Sequence, residues 1–455
     1  MLDPLSTLVR RRWRTLLNMF WFIPGLISFI GPLLAIIFLI IDHNFKITDE
    51  TFVFSAGSTE ASTMLATIAG SLITVAGLAF SITIVVLQLV SSQYTPRALR
   101  GFLQDRTTQV VAGSFFAIFA YALIVLTQVH DPSPPADAGF IPVLSVTIAL
   151  LLSFIGLVLL LVFIHHTGSI IQVSHIVART ATQTVQAITT DTIDRASEEE
   201  VSRLIHSWYP GEKSTPVYAP RFGYIQRIAL PQLAQSITHP QMHIHLLVSP
   251  GDFVTEETVI ARIWTVDGVD EGLGKTLQHN VHIDKERDIA EDARFGVRQL
   301  ADIALRALSP AINDPTTGVL CIKHLQVVFE QLVRQRPVSS IIPLLGGTST
   351  LVVLQTEFKE YLEVFLEIGF YAGGSTRVIS AMLVVLAKLA KIAITLDRQE
   401  QQEVIASVAA MLVANALPQV PAEQDRVRLQ ELLKQVERVL KQEELEEHVL
   451  YHDRL

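Results

Sequence analysis

The residues best suited to chemistry fall on one predicted helix in the second half of the chain. Between about 288 and 308, Glu291, Arg294, Arg298, Asp302 and Arg306 recur at steps of three and four, which puts them on one helical face. Guanidinium groups in such a row can grip a carboxylate or phosphate through paired N–H donors. Arg294, Arg298, Asp302 and Arg306, with nearby Asn313, are therefore candidates for holding a small anionic ligand. The same row also reads as a solvated face laced by its own ion pairs. A second pattern lies near the N-terminus. Thr63, Thr67, Ser71, Thr74, Gly77, Ser81, Gln88 and Ser92 follow at steps of 4, 4, 3, 3, 4, 7 and 4, keeping one face over about eight turns of 3.6 residues. The stripe fits the wall of a water-filled path for an ion. It equally fits a tight helix–helix seam, since small and hydroxylated residues favour such packing.

Other candidates carry less. His165 and His166 close an apolar run and are candidates for sensing pH, or solvated interface residues. His243 and His245 share a strand face, with His279 and His282 further on, but nothing in the spacing brings them together on a metal. Gly272-Leu273-Gly274-Lys275-Thr276 looks like the tail of a phosphate loop, yet Val269 stands where the motif needs a glycine. No helical stripe leads onward from Lys275, so no helix N-terminus is expected there to hold phosphate. No nucleophile–base pair stands out, so neither an enzyme nor a cofactor is expected. The single Cys321 can form no internal disulfide.

The elements that must position these residues begin in a membrane. Half of the 455 residues are hydrophobic, and the excess sits in four runs near 20–41, 62–92, 108–129 and 140–166. A helix needs about 20 apolar residues to cross hydrocarbon, and none of the four has an Asp, Glu, Lys or Arg in its apolar interior. Arg10, Arg11, Arg12 and Arg14 precede the first run, and Arg97, Arg100 and Arg106 separate the second from the third. Asp42, Asp49, Glu50, Glu60, Asp131 and Asp137 occupy the other two loops. Lys and Arg excess marks the cytoplasmic side, so both termini are expected inside. Pro24, Gly25, Gly31 and Pro32 predict a bend in the first run.

The expected architecture is a membrane α-helical domain followed by a cytoplasmic α/β domain with a small barrel-sandwich-like β module. Its order is an N-terminus (1–19), four spans (20–166), a helical stalk (167–210), the β module (211–284) and a mainly helical remainder (285–455). Strands are expected at 222–228, 242–248, 259–264 and near 350–357. The Gly251-Asp252-Phe253-Val254 turn resembles that of biotinyl and lipoyl carrier domains, without their cofactor-bearing loop. Ile289, Ala293, Val297, Leu300, Ala304 and Leu308 predict the buried stripe of the arginine helix. Asp314 is placed to cap a following helix with Pro315 at its first position. Val378 to Ile394 could pass for a fifth span, but Arg377, Lys388 and Lys391 favour a buried helix. Val427, Leu432, Leu433, Val436, Val439 and Leu440 predict a packing or oligomer seam. The net charge of -9 argues against nucleic acid as a partner.

Several stretches together resemble a family of predicted bacterial membrane proteins, the domain of unknown function 2254. They are Phe80-Ser81-Ile82-Thr83, Gln88 through Arg97, Phe163-Ile164-His165-His166, Phe295 through Ala304, and Arg306 through Pro315. The resemblance implies a bacterial inner-membrane protein and brings no catalytic residues. Residue pattern and resemblance lead to an oligomeric channel or conduit, with the second span at the pore and the soluble part as a vestibule. The alternative is a membrane-anchored sensor or scaffold whose soluble domain binds a small ligand or a protein.

Overall fold

The computed structural model describes residues 21–45, 57–93, 105–130, 140–170, 172–189, 214–236, 242–265, 271–335, 341–344, 349–354 and 356–442. The N-terminal arginines, the Arg97–Arg100 loop, the stalk beyond Thr189 and the tail beyond Gln442 lie outside them. The chain divides into two compact units, Met1–Ile176 and Val177–Leu455.

The first unit is helical. Its first apolar run is two helices, α1 (Phe22–Ser28) and α2 (Ile30–Phe45), interrupted at Phe29. Pro32 lacks the N–H that would bond to Ser28, four residues back. α3 (Ser58–Gln93), α4 (Arg106–Leu126) and α5 (Val143–Ile170) follow. α4 is the hub, packed against α1, α2, α3 and α5. Small residues set its approach. A Cβ on Gly31 would overlap the Ala117 carbonyl of α4, and one on Gly113 would meet Pro24 and Ile27 of α1 at 2.9 Å. Such contacts supply the van der Waals packing that holds helices together where hydrocarbon offers no hydrophobic drive. Phe115, Tyr121, Ala122 and Val125 of α4 are fully buried.

Two carboxylates finish the helix ends. Asp42, at the end of α2, accepts from the Leu144 N–H at 3.0 Å, the Ser145 N–H at 2.9 Å and the Ser145 hydroxyl at 2.6 Å. It therefore caps α5 from another helix, satisfying N–H groups that have no partner within α5. The Tyr121 hydroxyl donates to the Ser145 carbonyl at 3.0 Å, joining α4 to the same point. Asp105 caps α4 itself, accepting from the Thr108 N–H at 2.8 Å and its hydroxyl at 2.7 Å.

The second unit joins two sheets to a helical layer. α6 (Val173–Thr189) straddles the division, and from Val177 onward it belongs here. Gly296 lets Thr184 of α6 sit against its backbone, where a Cβ would overlap the threonine hydroxyl. Next come β1 (Thr215–Tyr218), β2 (Gly223–Ile228), α7 (Leu230–Ser236), β3 (His243–Leu246), β4 (Phe253–Val254), β5 (Val259–Trp264), α8 (Glu271–Asn280) and β6 (Val281–Asp284). β7 (Ile341–Leu344) and β8 (Ser349–Val352) complete a five-stranded sheet of order β1-β5-β3-β8-β7, beside a three-stranded sheet of order β4-β2-β6. β8 runs parallel to β3, pairing Ile244 with Leu351. The β structure thus takes two strands from beyond 284. One expectation is corrected: Gly272–Thr276 lies inside α8. Leu273 and Leu277, four apart and both buried, anchor that helix from behind Lys275.

The arginine helix is α9 (Ala293–Ala307), entered through a 3-10 turn at Ile289–Glu291. It starts later than the residue periodicity suggests because Asp292 caps it, accepting from the Phe295 N–H at 3.0 Å. The six residues of the predicted stripe are buried. α10 (Pro315–Arg334) begins at Pro315 with Asp314 as its cap, accepting from the N–H groups of Thr316 and Thr317 at 3.0 and 3.1 Å. α11 (Phe358–Leu362), α12 (Val364–Tyr371), α13 (Thr376–Thr395), α14 (Gln399–Ala416) and α15 (Glu423–Leu440) follow. Of the predicted seam on α15, Val436 and Val439 are buried and Val427 is exposed; Leu429 takes the place of Val427. The helix packs on α13 and α14 of its own chain.

Among the described residues, five helical stretches are long and apolar enough to cross a membrane: Phe22–Asn44, Ser58–Leu89, Arg106–Leu126, Val143–Gly168 and Thr376–Thr395. The last, α13, is 67% buried inside the protein over its most apolar stretch, against 17% for the first and fourth. It packs among α10, α14 and α15.

Replacing Asp42 with Ala should lower stability by about 1–2 kcal/mol, since a lost cap leaves the first turn of α5 unsatisfied. Thermal unfolding of the detergent-solubilised protein measures this, and Asp42→Asn should recover part of it. A pH effect follows from Asp314. The Thr317 hydroxyl, aided by the N–H groups of Thr317 and Thr316 and by Arg377, holds its carboxyl below the usual range against a smaller opposing effect of burial. A lowered folded value means the cap contributes fully above about pH 4 and fades as pH falls through the depressed value. Asp314→Asn should flatten that acid-side loss in a melting-temperature series.

Candidate functional site

Two arrangements bear on function, one in each unit. In the first, α3 buries Ala61, Leu65, Ile68, Ala69, Leu72, Ala76, Ala79 and Val86. The predicted stripe falls on the other side. Thr67, Ser71, Thr74, Gly77, Ser81 and Gln88 are all exposed, while the Ser92 side chain lies outside the described residues. The Thr67 hydroxyl donates to the Thr63 carbonyl and that of Thr74 to the Gly70 carbonyl, each at 2.7 Å. Each hydroxyl oxygen keeps acceptor capacity outward. Flanking Ile73, Leu78, Ile84 and Val85 are exposed as well.

At the far end of α5, His166 Nε2 lies 2.9 Å from Asp105, the α4 cap, whereas His165 is exposed. Burial pushes the Asp105 carboxyl up, but the Thr108 N–H and hydroxyl together with His166 outweigh it and leave the carboxyl below its usual range. The two histidines thus part: one ties α5 to the start of α4, and the other faces outward.

In the second unit, β2, β4, α9, α11 and α12 enclose a cleft of about 640 Å³. Arg294 and Arg298 both line it. Arg294 Nη2 donates at 2.9 Å to the Ser249 hydroxyl, the Pro250 carbonyl and Asp252. Arg298 pairs with Asp302 through Nε at 2.7 Å and grips Glu367 with both terminal nitrogens. Arg287, which the residue pattern did not single out, also lines the cleft. It reaches Asp292 at 2.7 Å and lies over the Phe295 ring at 4.9 Å. Its position depends on the β6-to-α9 connection, for which no helical period gives a signal.

The electrostatics follow from these pairs. The Glu367 contacts, with Asp302, hold the Arg298 charge more firmly than usual. Burial works against the Arg294 charge, but Asp252 and Asp292 outweigh it. Asp292 is nearly sealed, and burial pushes its carboxyl above the usual range despite Arg287. Each of the three guanidinium groups is therefore engaged by a carboxylate of its own chain. The anion-binding reading of Arg294 and Arg298 meets a cleft also lined by the carboxylates of Asp252, Glu360, Glu363 and Glu367. The ion pairs cross from helix to the turn before β4 and from helix to helix, so the face is more than a solvated ladder. Arg306 and Asn313 do not line the cleft. Arg306 is exposed in the last turn of α9, and Asn313 occupies the left-handed region at φ 47° in the loop beyond it.

Among the described residues no group of three His, Cys, Asp or Glu side chains could hold a metal. The His243 ring meets the Thr350 hydroxyl at 3.0 Å across the β3–β8 pair.

A helical unit with four stretches apolar enough to cross a membrane precedes a sheet-containing second unit that holds a fifth. The chain belongs to the family of predicted membrane proteins DUF2254, which it matches over residues 18–388. It is 31% identical over 354 residues to uncharacterized proteins of Mycobacterium tuberculosis and Mycobacterium bovis. The match covers 75% of this chain and 66% of those relatives. No solved structure matches it.

Removing the Asp292 carboxylate with Ala should destabilise the second unit by about 3 kcal/mol, because it strands the buried end of Arg287. Glu367→Gln, at a half-open pair, should cost about 1 kcal/mol or less. Denaturant unfolding of the purified protein, followed by far-ultraviolet circular dichroism, separates the two.

Proposed function

We propose that the protein is an oligomeric membrane conduit, with α3 from several copies lining a path across the bilayer and the second unit forming a vestibule. The carrying observation is that the polar stripe of α3 turns away from its own unit. A column of Thr67, Ser71, Thr74, Gly77, Ser81 and Gln88 gains nothing from hydrocarbon, whereas water or a facing helix can satisfy it. Gly70 and Gly77 support close approach by another copy, for nothing lies within 4 Å of where a Cβ would stand. The arginine-rich segments at 10–14 and 97–106 support placing both termini on the cytoplasmic side of a bacterial inner membrane. In this reading α13, with Arg377, Lys388 and Lys391, stays inside the vestibule domain as a buried helix. The protein acts as a passage and not as a catalyst.

A second reading, a membrane-anchored sensor, draws on the cleft around Arg294 and Arg298. Its arginines are engaged by carboxylates, so an anion there would have to displace Glu367 or Asp252.

Patch-clamp recording on reconstituted liposomes, with and without tension, tests the conduit. Discrete currents are expected, and Ser81→Asp should change their conductance or ion preference. Silence from correctly inserted protein, across tension and pH, would move the function to the soluble cleft.

A further inference from the structure

The cleft of the second unit carries more than its arginines. Tyr224 of β2 and Phe253 of β4 are partners across the antiparallel pair, and side chains so paired stand on one face. Their rings meet edge to face at 5.1 Å between centroids, and Phe253 is left 57% exposed. Both rings line the cleft. An aromatic pair on the wall of a cavity offers a ligand an apolar surface whose ring faces are electron-rich.

The wall is fixed before anything binds. Ile225 N–H donates to the Asp252 carbonyl at 2.9 Å, and Gly251 N–H donates to the Ile225 carbonyl at 2.7 Å. Gly251 has φ 96°, and a Cβ there would overlap the Asp292 carboxylate and the Arg287 guanidinium. The turn that carries Asp252 and Phe253 is thereby pinned to β2 on one side and to the cap of α9 on the other.

Charge decides what such a wall attracts. The described lining holds the guanidinium groups of Arg287, Arg294 and Arg298 and the carboxylates of Asp252, Glu360, Glu363 and Glu367. Arg287 and Arg298 are held also by Asp292 and Asp302, which do not line the cleft. The arginines are therefore covered, and carboxylates are in excess. Asp252 and Glu367 are engaged by Arg294 and Arg298. Glu360 stands 3.8 Å from Arg294, and its side chain remains 49% exposed. Glu363, three residues on and exposed, pairs with no cation among the described residues. An anion entering here must break a pair that is already made. A cation finds carboxylate oxygens with acceptor capacity to spare and ring faces that attract positive charge.

We propose that the cleft binds a small organic cation, an ammonium or guanidinium group on a short apolar stem. The charged group meets Glu360 and Glu363, and the stem lies against Tyr224 and Phe253. At about 640 Å³ the cleft falls within the roughly 300–1,000 Å³ of small-molecule sites. The assignment reverses the anion reading that the arginine spacing suggests, and it stands whether or not the protein conducts.

The test uses the full chain purified in a non-ionic detergent, with phenethylammonium as the cationic probe and phenylacetate as an anionic probe of similar size. Isothermal titration calorimetry is expected to show saturable binding of phenethylammonium, one molecule per chain, and none of phenylacetate. Added salt should weaken the binding, since one partner is an exposed carboxylate. Glu363→Gln and Phe253→Ala should each weaken it by about threefold to tenfold, the loss of one partly exposed charge or ring contact. Both residues are exposed, and an unchanged melting curve by far-ultraviolet circular dichroism shows that the variants fold. Saturable binding of phenylacetate in place of phenethylammonium would overturn the proposal, as would no binding of either. Phenethylammonium binding that neither variant weakens would place the cation elsewhere and overturn it too.

Discussion

The closeness of α1 and α2 to α4 is the contact on which the rest of the first unit depends. Gly31 against the Ala117 carbonyl and Gly113 against Pro24 leave no room for a Cβ. Where lipid tails are as apolar as leucine, association comes from such fitted surfaces and from the few polar groups that join helices. With α4 fixed at the centre, α3 must bury its alanine and leucine face against it. The polar stripe, on the opposite face, is then left for something outside the unit.

The carboxylates of this unit act at helix ends. Asp42 closes the first turn of α5 from α2, and Asp105 closes α4 while meeting His166. The second unit uses charge differently. Its arginines bridge α9 to β-strand turns and to α11–α12, so one ion-pair network holds sheet and helical layer together. A guanidinium fork can satisfy two elements at once, which suits it to such a seam.

Much of this was legible in the residues. The apolar runs, the stripe of α9 and the Asp314-Pro315 helix start follow from periodicity and capping, which are local. The apolar residues of α13 announce a long helix, and its length and composition leave it a candidate span. The misses have physical reasons too. α8 rests on only two leucines, too few for a period to register. The exposure of Val427 depends on how α15 meets α13, a matter of rotation that heptad spacing leaves open. β8 pairs with β3, 107 residues earlier, and no local signal encodes a pairing at that separation.

By itself the sequence determined that this chain enters a membrane, because the length and apolarity of a segment decide whether a helix can cross hydrocarbon. It also determined which side chains share a helical face, because 3.6 residues per turn is a property of the backbone. Only the tertiary structure decided what each face meets. It turned the stripe of α3 outward and closed Arg294 and Arg298 onto carboxylates. Those outcomes depend on contacts between residues far apart in the chain, and only the packed structure brings them together.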